Sequence, residues 1–358
     1  MNLNFLTGTA AELIKIYPLI RMAFERGYAV RVVMTGQSRE NFMMQYRDFK
    51  LPEEKLFPLL ESRGDLEKAS SAMRWFGRVL MITPKSFRAK LLLGSPQDFV
   101  VVHGDTLSTL AGAWLSWRAG IKVIHVEAGL RSPSLFNPFP EEINRRLVSR
   151  FASLHMAPDL RAQHNLERAR VRGTVVNTGG NTLLDAVLLS AQASTKAEKP
   201  FVLTNLHRFE NLNSAERWQK IVDTVVSAAK QMQVIFIAHP QTRHKLNEDP
   251  AAMKRLQEAG VEIRERMPFS SFIALLKNAS YLISDGGSNQ EECSYLGKPC
   301  LLMRESTERQ EGLDGCCLLS RFEQEKINAF LADPERFRRP DALAGGSPSR
   351  KILDALQA

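Results

Sequence analysis

Short apolar runs rich in Val, Ile, Leu and Phe alternate along the chain with longer stretches of helical periodicity. Continuous apolar runs, as opposed to strictly alternating ones, mark strands buried on both faces, and helical segments between them connect parallel neighbours. The pattern predicts an α/β protein. In the first half the predicted strands are Leu3 to Leu6, Val30 to Met34, Phe99 to His103, Lys122 to Val126, Leu154 to Ala157 and Val175 to Val176. The second half restarts the alternation at Phe201 to Thr204, Val234 to Ala238, Val261 to Ile263, Tyr281 to Ser284 and Pro299 to Met303. Between the halves, Leu183 to Pro200 is Ala-rich and then polar through Ser194, Thr195, Lys196, Ala197, Glu198 and Lys199, which predicts a helix followed by a linker. The expected division is therefore a domain over 1–182, a connection over 183–200, a second domain over 201–335 and a terminal segment over 336–358. That segment ends in a helix from Ser347, after a Gly-Gly-Ser-Pro turn.

The length of 358 residues suits two cores better than one. With 44% hydrophobic and 24% charged residues the chain has an ordinary globular composition, which excludes a disordered, collagenous or disulfide-stapled protein. No apolar run is long enough to span a bilayer, and the first residues lack a secretion leader, so a cytoplasmic protein without membrane insertion is expected. Cys293, Cys300, Cys316 and Cys317 lack metal-binding spacing and read as free thiols. Lysine and arginine outnumber acids by 48 to 39, a net +9 that favours anionic partners. No aromatic-basic ladder accompanies that charge, so nucleic acid is not expected.

In open parallel sheets ligands bind beyond the carboxyl ends of the strands, so polar residues just after an apolar run carry the most information. Asp105, in His103-Gly104-Asp105-Thr106, suits an acid or base, or simply a helix cap. Glu127 follows Ile124-His125-Val126 and suits catalysis, or a structural pair with Arg131. Glu141, after Phe139-Pro140, also suits the ordinary acidic start of a helix. Carboxylates gathered in one cleft raise one another's pKa, which separates an acid from a base. In the second half His207-Arg208 follows a strand and suits phosphate binding. After Ile283-Ser284, the run Asp285-Gly286-Gly287-Ser288 opens a helix whose N–H groups suit a diphosphate, with Glu292 one turn inside for ribose hydroxyls. A charged loop from Arg304 to Arg309 follows the next strand.

Taken together, these segments resemble the non-hydrolysing bacterial UDP-N-acetylglucosamine 2-epimerases. The matching stretches are Gly8-Thr9 with Glu12 and Lys15, Thr35-Gly36-Gln37, His103 to Thr106, His125 to Arg131, Pro140-Glu141-Glu142 with Asn144-Arg145, and Gly180-Asn181-Thr182. They continue through His207-Arg208 with Glu210-Asn211, Gln290-Glu291-Glu292, Leu296 to Pro299 and Thr307-Glu308-Arg309. The resemblance implies two Rossmann-like domains of GT-B type with a deep interdomain cleft, the last helix crossing back to the first domain, and a homodimer. It implies elimination and re-addition of UDP through a 2-acetamidoglucal, without metal or other cofactor. Asp105, Glu127, Glu141 and His207 match the family's catalytic positions. Lys15, Phe272, Gly286, Gly287, Ser288, Glu292 and Arg309 match contacts to the UDP of the substrate, and Gln37, Arg208 and His239 a regulatory site.

The chain departs from the family pattern at Ala10 and Ala11, where arginine and proline are usual, and at Ser38, where histidine is usual. Phe209 stands for a second arginine, Gln310 for a proline, and Gly286-Gly287-Ser288 reorders the usual Ser-Gly-Gly. A glycosyltransferase on the same fold and a catalytically silent sugar-nucleotide binder are the competing readings. Intact acid and base positions favour surviving chemistry.

Overall fold

A computed structural model describes residues 1–37, 39–60, 69–132, 140–191, 199–307, 309–313, 315–342 and 345–357. Ser38, Phe139, the linker residues Ser194 to Glu198 and Glu308 lie outside the described residues. The chain divides into two compact units, Met1–Ala186 with Gly346–Ala358, and Val187–Gly345.

The strands of the first unit are β1 (Asn2–Thr7), β2 (Ala29–Met34), β3 (Leu56–Pro58), β4 (Phe99–His103), β5 (Lys122–Val126), β6 (Leu154–Ala157) and β7 (Thr174–Asn177). Its helices are α1 (Ala10–Glu25), α2 (Arg39–Asp48), α3 (Ala69–Leu80), α4 (Pro84–Ala89), α5 (Leu107–Arg118), α6 (Glu141–Phe151) and α7 (Leu160–Arg168), with α8 (Leu183–Ala191) running across the division. The sheet is wholly parallel in the order β3-β2-β1-β4-β5-β6-β7. The order reverses between β1 and β4, so a crevice opens beyond their carboxyl ends. Central strands are buried along nearly their whole length, β4 through Phe99, Val100, Val101, Val102 and His103, which is why they read as continuous apolar runs.

The second unit holds β8 (Phe201–Asn205), β9 (Gln233–Ala238), β10 (Glu262–Glu265), β11 (Tyr281–Ser284), β12 (Cys300–Leu302) and β13 (Cys317–Leu319). Its helices are α9 (Phe209–Leu212), α10 (Ala215–Ala229), α11 (Pro240–Glu248), α12 (Pro250–Glu258), α13 (Phe269–Asn278), α14 (Gly287–Tyr295) and α15 (Gln324–Ala332). This sheet is also parallel, ordered β10-β9-β8-β11-β12-β13, with its reversal between β8 and β11. Its core gathers Val202, Trp218, Phe236, Tyr281, Leu301 and Phe330. The four cysteines are free and buried in this unit. Both units are thus the parallel-sheet, Rossmann-like domains of the GT-B class.

Helix α16 (Pro348–Ala355), capped by Ser347, belongs to the first unit. Arg26 Nη2 meets Asp354 Oδ1 at 2.6 Å, and the Ser349 amide donates to the buried Asp185 at 2.8 Å. The stretch from Arg336 to Ala342 stays with the second unit, where the Ala342 amide donates to the Tyr295 carbonyl at 2.9 Å.

Two strands, β3 and β13, are absent from the sequence reading. Each spans three residues at a sheet edge, where a strand is buried less completely than in the middle of the sheet and its apolar signal is weaker.

Candidate active site

In the first unit the site grows from the ends of β1, β4 and β5. Glu12, 3% exposed, closes a capping box with Thr9 at the start of α1. It also accepts from Gly8 N at 2.8 Å, Thr106 Oγ1 at 2.5 Å and Thr109 Oγ1 at 2.9 Å. One buried carboxylate therefore pins the β1–α1 turn to the first turn of α5. Thr106 supplies the cap of α5, so Asp105, one residue earlier, is released from the capping role that spacing alone allowed it.

Asp105 is held instead by Arg145 of α6, with Nε at 2.8 Å and Nη2 at 2.6 Å from Oδ2, while Asn144 Nδ2 donates to the Asp105 carbonyl at 2.8 Å. Glu127 follows β5 with φ +60, a left-handed conformation that a non-glycine residue adopts at a cost of about 1–3 kcal/mol. Its Oε2 lies 2.7 Å from Lys15 Nζ and 3.1 Å from His103 Nε2. The lysine contact is a hydrogen bond; His103 Nε2 makes none among the described residues. The spacing argument for a Glu127–Arg131 pair fails, because Arg131 turns to Ser149 and to the fully buried Glu142. In the β4–β5 register, His103 stands opposite Val126, so the Asp105 and Glu127 turns leave neighbouring strands side by side. Glu141 opens α6, and its Oε2 is buried with no hydrogen-bond partner among the described residues. A buried carboxylate oxygen left unpaired in this way is costly unless something else fills the contact. Asp105 and Glu127 each hold a cation of their own, an arrangement the expectation of mutually crowded acids left out.

His125, fully buried in β5, contacts the Gly104 carbonyl at 2.8 Å. Burial pushes its pKa down to about 3 against the opposing bond to Gly104, with the neighbouring His155, His103 and Arg131 adding to the depression.

In the second unit the polar residues cluster at the reversal between β8 and β11. Asp285, fully buried, accepts from the amides of His207 at 3.0 Å and Arg208 at 3.0 Å and from Asn211 Nδ2 at 2.9 Å. Arg208 Nε returns to the Asp285 carbonyl at 2.8 Å. His207 Nδ1 stands 3.6 Å from Asp285 Oδ1, beyond hydrogen-bond reach. Its ring stacks on His239 at 4.5 Å. Burial lowers the His207 pKa, the Asp285 charge opposing and Arg208 and Arg266 assisting. Burial likewise brings His239 to about 3, with His207 and Arg266 adding to it.

Helix α14 starts at Gly286 with no side chain capping it, so its first N–H groups present the positive end of the helix. A Cβ at Gly286 would stand 2.7 Å from Asn289 Oδ1 and 3.4 Å from His207 Cε1. Glycine is what lets this loop, Asn289 and the imidazole sit together. Asn289 bonds Asn205 at 2.9 Å and Ser284 at 2.8 Å, and passes the chain of contacts to Glu292 at 2.7 Å. Arg309 is tied to buried Glu291 at 2.5 Å, and Gln290 holds the Arg309 and Glu311 carbonyls.

A UDP-N-acetylglucosamine 2-epimerase family model matches residues 22–357. The chain is 33% identical over 332 residues to the enzyme of that name from Methanococcus maripaludis, covering 87% of this chain and 86% of the relative. A Salmonella borreze relative of the same name is 30% identical over 98% of this chain and 96% of its own length. This chain belongs to the UDP-N-acetylglucosamine 2-epimerase family. Two Methanocaldococcus jannaschii structures of UDP-GlcNAc 2-epimerase, one with UDP-GlcNAc and UDP, superpose at TM-scores of 0.80 and 0.77 with 28% identity. Each covers 100% of this chain, and the chain covers 100% and 99% of theirs respectively.

The remaining sequence candidates fall as follows. Lys15, read as a nucleotide contact, is committed to Glu127 within its own unit. Phe272 is 8% exposed, on the packed side of α13. Gln37 Oε1 accepts from Ser108 Oγ at 2.6 Å. Gly287 and Ser288 are the first two residues of α14. Asp285, Arg145 and Glu12 were not singled out as site residues. Asp285 stood at a strand end and was open to the same argument as Asp105, whereas Arg145 and Glu12 sit inside helices, where charge is ordinary.

The depressed histidines fix a pH dependence. Unfolded imidazole takes its proton near pH 6.5, but His125 and His239 in the fold wait until about 3. Between those values the unfolded chain binds more protons. Stability is therefore full above pH 6.5 and falls as pH drops through the window, by up to about 1.4 kcal/mol per pH unit for each histidine. Urea titrations at pH 7.5 and pH 5 measure it, and His125→Gln is expected to flatten the difference. An unchanged difference in that variant would remove His125 from the account.

Proposed function

We propose that this chain is a UDP-N-acetylglucosamine 2-epimerase that interconverts UDP-GlcNAc and UDP-ManNAc, acting in the cytoplasm as a homodimer. The observation that carries the chemistry is that Asp105 and Glu127 follow adjacent strand ends, while at the start of α6 an oxygen of Glu141 is buried with no hydrogen-bond partner among the described residues. The proton on carbon 2 of the sugar is weakly acidic, so its removal needs a positioned base, and its return to the opposite face needs a positioned acid. In the proposed reaction a carboxylate takes that proton. The C2–H electron pair becomes the C1–C2 double bond, and the C1–O bond breaks with its electrons leaving on UDP. UDP then adds back to carbon 1 while a second carboxyl group protonates carbon 2 from the other side.

The second unit supplies the grip on the leaving group. The uncapped start of α14 at Gly286, Gly287 and Ser288 receives the diphosphate, with His207 beside it and Glu292 for the ribose. A depressed pKa leaves His207 neutral at pH 7, so it serves as a hydrogen-bond donor to the diphosphate.

The test is incubation with UDP-GlcNAc in heavy water, followed by NMR. Deuterium at carbon 2 together with UDP-ManNAc is the expected result. Free ManNAc with UDP would replace epimerisation by hydrolysis. Transfer only in the presence of an acceptor would make the protein a glycosyltransferase, and binding without exchange a silent binder.

A further inference from the structure

At the far end of α6 from Glu141, a groove of about 530 Å³ runs between the last turn of that helix and the turn after α7, within the size range of small-ligand sites. Glu141 is the first residue of α6 and Phe151 the last, so the groove's far edge lies roughly 15 Å along the helix from Glu141 and its nearest lining residue on that helix, Arg146, roughly 7 Å. Arg146 and Arg150 line one side and Arg170 and Arg172 the other, with Trp117 and Phe151 at the edge. Arg131 adds a fifth guanidinium.

The charge is poorly compensated. Glu142, behind the groove, is shared by Arg146 at 2.8 Å and Arg131 at 4.0 Å. Among the described residues no carboxylate lines the groove, and Arg150, Arg170 and Arg172 have no carboxylate partner. The turn that carries two of these arginines is firmly built. Arg170 adopts φ +49, its amide bonds the Glu167 carbonyl at 3.0 Å, and buried His155 contacts the Arg172 carbonyl at 2.9 Å. Exposed like charges on a fixed backbone around one groove make a positive potential that attracts an anion. Trp117 is 57% exposed and tilts against Phe151 with ring centroids 5.4 Å apart. An exposed indole beside guanidiniums offers a stacking face for a planar ring.

We propose that this groove binds a nucleoside polyphosphate, its base on Trp117 and its phosphates on Arg150, Arg170 and Arg172. Guanidinium pairs with phosphate oxygens in charge-assisted, bidentate contacts, and a tryptophan face accepts a base without reading its identity. The proposal is independent of the epimerase reading.

The experiment uses the full chain and titrates it with ATP and separately with inorganic tripolyphosphate, by calorimetry and by tryptophan fluorescence. ATP is expected to bind and to quench the exposed Trp117. The triple variant Arg150→Ala, Arg170→Ala, Arg172→Ala is expected to weaken ATP by about 100-fold, from three lost charge-assisted contacts. Its circular dichroism and its exchange at carbon 2 remain as in the parent. Trp117→Ala is expected to weaken ATP about tenfold and leave tripolyphosphate unchanged. ATP binding that survives the triple variant overturns the proposal, as does equal affinity for ATP and tripolyphosphate. Capture on phosphatidylserine vesicles with no binding of ATP would make the groove a lipid-headgroup surface instead.

Discussion

Glu127→Gln lowers deuterium incorporation at carbon 2 about a thousandfold, the middle of the range for losing a general acid or base, while UDP-GlcNAc still binds. The substitution preserves shape and removes only the charge and the proton-accepting capacity. Three observations lead to this expectation. Glu127 sits at a strand end where packing needs no carboxylate, it is held at φ +60 at an energetic cost, and Lys15 and His103 converge on one of its oxygens. Strain of this kind persists where the surrounding structure imposes it for a purpose. Asp105→Asn is expected to behave the same way, because Arg145 fixes its carboxylate from α6. Exchange is read by NMR and affinity by calorimetry on the same samples. Full exchange in either variant would remove that residue from the reaction.

The second large effect concerns stability. Asp285→Ala strips the acceptor from three donors, the His207 and Arg208 amides and Asn211 Nδ2, all folded around a fully buried carboxylate. Donors left unpaired in the interior cost about 1–3 kcal/mol each, with incomplete additivity. A loss of about 3–5 kcal/mol lowers the melting temperature by roughly 10 °C, and UDP binding falls with it as the His207 loop loosens. Asp285→Asn keeps one carbonyl acceptor and is expected to lose less than half as much. Scanning calorimetry of both variants decides this. Equal, small shifts would mean that the loop is held by other contacts.

The central strands were legible because burial on both faces writes itself into sequence as uninterrupted Val, Ile and Leu. The limits of β4, β5, β6 and β11 match the apolar runs to the residue. The edge strands β3 and β13 lie in short runs, Leu56 to Leu60 broken by Pro58 and Cys316 to Leu319, that lack the Val and Ile of the central strands. Candidate acids were legible from their place after a strand, but the cations that hold them were not. Lys15 and Glu127 lie 112 residues apart, and Arg145 and Asp105 lie 40 apart. Pairings of that kind depend on how strands are ordered in the sheet, and local spacing instead suggested Arg131 for Glu127. The same gap hid Glu12, whose ordinary place in a capping box gave no sign that it also anchors α5.

The return of α16 to the first unit sets an order of events during synthesis. The polypeptide between Val187 and Gly345 is finished and free to collapse before the ribosome has produced the helix that lies against α1. The unit begun first is therefore completed last, and until then Asp185 lacks the amide that meets it in the finished protein. A nascent chain stalled short of residue 346 would carry the whole of the second unit beside an unfinished first one.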